Sequence, residues 1–179
     1  MAQIKLNATY GLTGALPAVS GASLTGISGG KILQVQSATF TDTTANGTGS
    51  FAATFLTDQI TPAASSSKIF VSINVCIKAY VGSAGITKGN WTVYRQINGG
   101  GYSNCYPTQE SDSSWEMRMY TGGVRVMWQT IQFVDSPSTT NAVDYKVYSY
   151  LTTGGNFAIG YESSEKKDST IVLMEIDGS

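Results

Sequence analysis

From Lys31 onward the chain alternates between apolar and polar positions with a period of two. The clearest run is Lys68 to Tyr80, where Ile69, Val71, Ile73, Val75, Ile77 and Ala79 alternate with Lys68, Ser72, Asn74 and Lys78. β-Branched residues on one face of such a run predict a half-buried strand. Trp115, Met117 and Met119 alternate with Glu116 and Arg118, and after Gly122-Gly123 come Val124, Val126 and Trp128 against Arg125 and Gln129. Two runs joined by a Gly pair predict a hairpin. Ile131 and Phe133 then continue on odd positions, which predicts a bulge near Gln129-Thr130. Val143, Tyr145, Val147 and Leu151 mark a further strand, and others are expected at Ile32–Asp42, Phe51–Thr57, Trp91–Ile97, Phe157–Glu162 and Thr170–Ile176. The separators are rich in turn formers, among them Asn46-Gly47, Thr61-Pro62, Asn98-Gly99-Gly100-Gly101 and Ser136-Pro137-Ser138. No segment holds a helical period for three turns. About nine strands with short separators predict an all-β fold, an antiparallel β-sandwich of jelly-roll type spanning residues 30–179.

Residues 1–29 break this pattern. Gly and Pro interrupt every regular element, and the apolar residues Ile4, Leu6, Tyr10, Leu16 and Leu24 are spaced without a sustained period. The segment reads either as a disordered tail or as an extended arm that becomes ordered against a partner. Its apolar residues favour the arm, with those five side chains as anchors. The strand Thr170–Ile176 is unusual in another way, because both of its faces are apolar. One face of a sandwich strand is expected to be wet unless something covers it. Ile171, Val172, Leu173, Met174 and Ile176 are therefore expected to form a subunit interface.

Composition narrows the chemistry. Charged residues make up 13% of the 179-residue chain, about half the usual share of about 25%, so hydroxyls and amides solvate the surface. The net charge of −1 and the lack of a basic patch argue against binding driven by nucleic-acid phosphates. The chain has no histidine, which removes Ser-His-Asp and Cys-His catalysis and His-ligated metals. Cys76 and Cys105 are too few for a disulfide framework, leaving either one bridge or a buried small hydrophobe with a loop thiol. Glu110 and Asp112 read as solvated loop charges, not as a glycosidase pair. Gly99-Gly100-Gly101 lacks the Lys-Ser/Thr and helix of a phosphate loop. No signal peptide or membrane-spanning apolar run is visible, so a soluble product made in the cytoplasm is expected, with the Asn-x-Thr triplets at Asn7, Asn46 and Asn90 as chance matches. No enzyme activity, cofactor or metal is expected. Among the aromatics, Tyr102 and Tyr106 in a Gly-rich tip are the candidates for an external ligand.

Several runs resemble a known group. Leu16-Pro17-Ala18-Val19-Ser20-Gly21-Ala22-Ser23-Leu24-Thr25-Gly26-Ile27 resembles the linker before terminal domains of tailed-phage fibre-like proteins. Gly30-Lys31-Ile32-Leu33-Gln34-Val35 resembles the start of such a domain in marine and cyanobacterial phages. Ile60-Thr61-Pro62 with Ser65-Ser66-Ser67-Lys68-Ile69, Asp135-Ser136-Pro137-Ser138-Thr139-Thr140, and Leu173-Met174-Glu175-Ile176 extend the resemblance. It implies a virion structural protein, a homotrimer with a jelly-roll-like body, assembled in the host cytoplasm and borne on the virion surface. The chain lacks the shaft, heptads and tail-binding domain of a long fibre. That departure favours a capsid decoration protein docked through its arm on the major capsid protein or another virion protein. A receptor- or carbohydrate-binding fibre tip, with a host glycan as ligand, is the alternative.

Overall fold

The computed structural model describes residues 31–46, 50–81, 87–106, 115–120, 123–153, 155–160 and 168–178. The attachment-arm residues Ile4, Leu6, Tyr10, Leu16 and Leu24 lie outside them, as do Glu110 and Asp112. Eleven strands and no helix are found among the described residues: β1 (Ile32–Phe40), β2 (Thr44–Asn46), β3 (Ala52–Ile60), β4 (Lys68–Val81), β5 (Thr87–Ile97), β6 (Ser103–Asn104), β7 (Trp115–Met119), β8 (Gly123–Asp135), β9 (Val143–Thr153), β10 (Asn156–Ile159) and β11 (Ser169–Ile176). All pairings are antiparallel. They form two sheets, β1-β11-β4-β10-β2 with β8 on β4, and β3-β9-β5-β6 with β7 on β5. The fold is an all-β, jelly-roll-like sandwich. Strand β4 is the spine of the first sheet. Along one side it pairs with β11 through residues 68–74 and with β10 through residues 77–80, and β8 runs the length of its other side.

The period-two alternation sets which face is buried. Ile69, Val71, Ile73, Val75 and Ile77 of β4 point into the sandwich at 0% exposure, as do Val143, Tyr145 and Val147 of β9 and Ile171 and Leu173 of β11. They pack with Leu56, Ile60, Trp91, Val93, Phe157 and Ile159 into one core. The turn after β5 needs two successive residues at positive φ, Asn98 (φ 50) and Gly99 (φ 73), which Asn and Gly adopt with least strain.

Two expectations fail. The Gly122-Gly123 link does not close a hairpin: β7 pairs with β5 in one sheet and β8 with β4 in the other, so the chain crosses the sandwich there. Nor is there a bulge near Gln129-Thr130. The β4–β8 register runs unbroken from Val81↔Gly123 to Ile69↔Asp135. The apolar residues change phase because they change face: Val124 (45% exposed) and Trp128 (50%) point outward, whereas Ile131 (3%) and Phe133 (8%) point into the core.

Polar bridges tie the two sheets together. The Trp91 indole N–H donates to Gln129 Oε1 at 2.7 Å. At the end of the sandwich where β1 begins, Arg95 Nη1 lies 2.6 Å from Asp135 Oδ2, and the Tyr145 hydroxyl donates to the same oxygen at 2.7 Å. Burial and the Asp135 carboxylate both push the Tyr145 phenol well up.

The buried Glu175 was not visible as an exception in an apolar strand. It lies at 0% exposure on the inner face of β11. Its Oε1 accepts the Ala63 N–H at 2.7 Å and its Oε2 accepts Gln34 Nε2 at 2.6 Å, so it fastens the loop before β4 to β1. Burial pushes this carboxyl up, but the Ser67 hydroxyl, the Gln34 amide and the Ala63 and Ala64 N–H groups outweigh it and hold it below its usual value. A group with a depressed folded value stabilises fully above its unfolded value of about 4.3 and loses that contribution as pH falls through the folded one. Glu175→Gln should therefore cost about 2 kcal/mol near neutrality. In thermal melts that is a drop of roughly 5 °C. Wild-type and variant melting temperatures should converge as pH falls through the lowered folded value of this carboxyl. A constant gap down to pH 2 would show that the carboxylate charge is not what holds the loop.

Candidate functional site

The side chains singled out in the sequence fall on two opposed surfaces. The first is the outer face of the β1-β11-β4-β8 part of the larger sheet. Strand β11 is central there, between β1 and β4, and its residues divide cleanly. Ile171 and Leu173 belong to the chain's own core at 0% exposure and face away from any partner. Val172, Met174 and Ile176 point outward and are half-buried. The expected interface on this strand thus narrows to three of its five residues, because alternation sends the other two inward.

Register extends the outward residues into a row. Val35 pairs with Met174, Met174 with Phe70, and Phe70 with Val134. Four apolar side chains therefore stand abreast across four strands, with Val35 and Val134 each 51% exposed. Ile32 (59% exposed) pairs with Ile176 at the adjoining end of the sheet. Toward the far end of β4 and β8 the face carries Trp128 (50%), Val124 (45%) and Tyr80 (43%). Isolated exposed apolar residues are ordinary, but a contiguous apolar patch on a sheet face marks a contact surface.

The second surface is the outer face of the smaller sheet. Tyr94 and Tyr148 stack with centroids 4.1 Å apart at 25°. Phe51 packs edge-on against Tyr150 at 4.5 Å, and Tyr102 leans on Tyr148 at 5.8 Å. Lys146 Nζ lies 4.9 Å above the Tyr102 ring. The Tyr102 hydroxyl donates to Asp144, which also accepts the Thr57 hydroxyl at 2.5 Å. Burial, then the Asp144 bond, pushes the Tyr102 phenol up to about 12. Tyr102 is thus a fixed member of an aromatic platform. Tyr106 is not part of it: its ring packs edge-on against Phe133 at 5.4 Å, beside the core. Tyr94, Tyr148, Tyr150 and Phe51 complete the platform. Alternation marks the three tyrosines as outward-facing, but only the pairing of β5 with β9 shows that they meet.

Cys76 is buried and Cys105 half-buried, and no disulfide joins the two. Burial, then the nearby Asp135 carboxylate, pushes the Cys105 thiol up to about 12, so it stays protonated and weakly nucleophilic. Among the described residues no group of three or more Cys, Asp or Glu is arranged to hold a metal ion, and no helix is long and apolar enough to cross a membrane.

No protein-family model and no curated protein matches the chain. Solved structures of low similarity do. The structure of Eiger TNF from S. frugiperda aligns over 81% of this chain and 94% of that one, at 9% identity and a TM-score of 0.35. The structure of infectious bursal disease virus Gx strain aligns over 81% of this chain and 40% of that one, at 8% identity and a TM-score of 0.33. Scores at this level do not place the chain in either group.

Proposed function

We propose that this chain is a non-enzymatic structural protein of a virus particle, a homotrimer that decorates a phage capsid and docks through residues 1–29. The observation that carries the structural role is the apolar row Val35–Met174–Phe70–Val134, with half-exposed ends and half-buried middle, continuous with the exposed Ile32 on the same sheet face. A face of that kind is stable in an assembly, not alone. Placement on a virion rests on the resemblance of the Leu16–Ile27, Gly30–Val35 and Leu173–Ile176 runs to tailed-phage structural proteins. The test is direct. Particles imaged with this protein labelled should carry many copies spread over the shell. Label confined to the tail, or absent from purified particles, counts against decoration.

The aromatic platform favours a second reading, a fibre tip that binds a host glycan. Tyrosine rings flanked by Asp144 and Lys146 offer sugar C–H groups a stacking surface and sugar hydroxyls both acceptors and donors. A glycan array separates the two readings. A binder should show saturable signals that fall about tenfold or more in Tyr148→Ala, whereas a pure decoration protein gives none with either chain.

A further inference from the structure

We infer that the outer face of the β1-β11-β4-β8 sheet is covered by further copies of this chain, packed so that the starts of all β1 strands gather at one pole of the assembly. This rests on the trimer reading above and names its contact surface.

Behind the apolar row come two polar ones. Ser37 pairs with Val172, Val172 with Ser72, and Ser72 with Gln132. The next row is Thr39, Thr170, Asn74 and Thr130. No charged residue stands in these three rows; the exposed Lys68 stands beside Ile176 in the row in front of them, and Lys78 lies farther along β4. Hydroxyls and amides both donate and accept, so a neutral row can hydrogen-bond to an identical row, whereas a charged row repels its own copy. Such a surface is suited to itself. The Asn74 Oδ1 at its centre is buried and has no hydrogen-bond partner among the described residues.

The opposite sheet shows what a solvated outer face of this protein looks like. It presents Asp144, Lys146 and Lys88 among its tyrosines. Size agrees as well. Two strands of thirteen or fourteen residues and two of eight or nine, at standard strand spacing and rise, give a projected area of roughly 700 Å². A standard interface takes about 800 Å² from each partner.

Geometry then fixes the poles. Strand β1 begins, and β11 and β8 end, on the side of the apolar row. At the same end lie the turns 61–67, 98–102 and 136–142. Copies related by a cyclic axis along the strands bring the Ile32 ends of β1 together there, while the Val81 ends of β4 and the Thr153 ends of β9 gather at the other pole. Tyr102 sits at the arm pole, on the flank of the assembly and not at its free tip.

The test uses the full chain. Val35 and Val134 lie on edge strands and are half-exposed in the single chain, so Val35→Asp and Val134→Asp should leave each chain folded, with unchanged circular dichroism. In light scattering the wild type should run as three copies. Both variants should dissociate, with an apparent dissociation constant raised by about 100-fold or more. Ala52→Asp, an exposed control on β3 in the other sheet, should remain trimeric. A second readout needs no change to the face's fold. The acrylamide quenching of Trp128, taken as the difference between wild type and Trp128→Phe, should rise as the wild type is diluted into monomers. A wild-type trimer that Val35→Asp and Val134→Asp leave intact, with Trp128 quenching constant on dilution, overturns the contact surface and spares the trimer. A wild type that is monomeric at micromolar concentration overturns both; the segment 1–29 folding back over its own face would give that result.

Discussion

Without residues 1–29 the body should still fold and trimerise, and its incorporation into particles should fall close to zero. The segment carries Ile4, Leu6, Tyr10, Leu16 and Leu24 among Gly, Ser and Thr, too sparsely to build a core of its own. Among the described residues the core runs from Leu56 to Leu173 and the first strand starts at Ile32. Apolar burial contributes about 25 cal/mol per Å², so several anchors on a shell can offset the entropy lost on ordering the segment. In the proposed trimer each docked segment would also raise the local concentration of the other two, turning weak single contacts into durable attachment. The measurement is the amount of protein co-sedimenting with particles, for the full chain and for the chain beginning at Gly30. If both decorate equally, the docking role of the segment is wrong and the body itself must hold the shell.

The second large effect belongs to Asp135. Asp135→Ala should destabilise the body by about 3 kcal/mol. That is a drop of roughly 10 °C in melting temperature. Asp135 accepts from both Arg95 and Tyr145 across the two sheets, and the side chains of the ion pair are only 24% (Arg95) and 11% (Asp135) exposed. Removing the carboxylate strands a cation and a phenol at the sheet junction. The triple variant Arg95→Met/Asp135→Leu/Tyr145→Phe should recover most of the loss, because apolar groups of similar size then leave none of the three partners unpaired. Urea unfolding of the two variants decides it. A single variant within 1 kcal/mol of wild type would mean that water already satisfies this junction.

Strand positions were largely legible from alternation alone, because each half-buried strand must repeat every two residues. The exceptions are informative. Strands β2 and β6 span three and two residues, too short for any period. In β8 the shift from Val124, Val126 and Trp128 to Ile131 and Phe133 looked like a bulge, since a sequence records hydrophobicity and not direction. The unbroken register shows one strand that is apolar outward at its start and inward at its end. The same limit applied to β11, where two apolar faces announced that something covers the strand but could not say which face was core. Glu175 hid because only tertiary structure brings Ala63 and Gln34 to it. The tyrosine platform needed the β5–β9 register, which pairs Tyr94 with Lys146 and Thr92 with Tyr148.

The closing of β11 against β1 matters for anyone who wishes to display a cargo on this protein. The Asp177 N–H donates to the Lys31 carbonyl at 2.9 Å, so the chain leaves the sandwich beside the point where it enters. A peptide fused downstream of β11 would emerge beside Lys31, and if the proposed docking holds it would compete for the same space. Cargo meant to face away from that point belongs beyond the Val81 end of β4, at the opposite end of the strands.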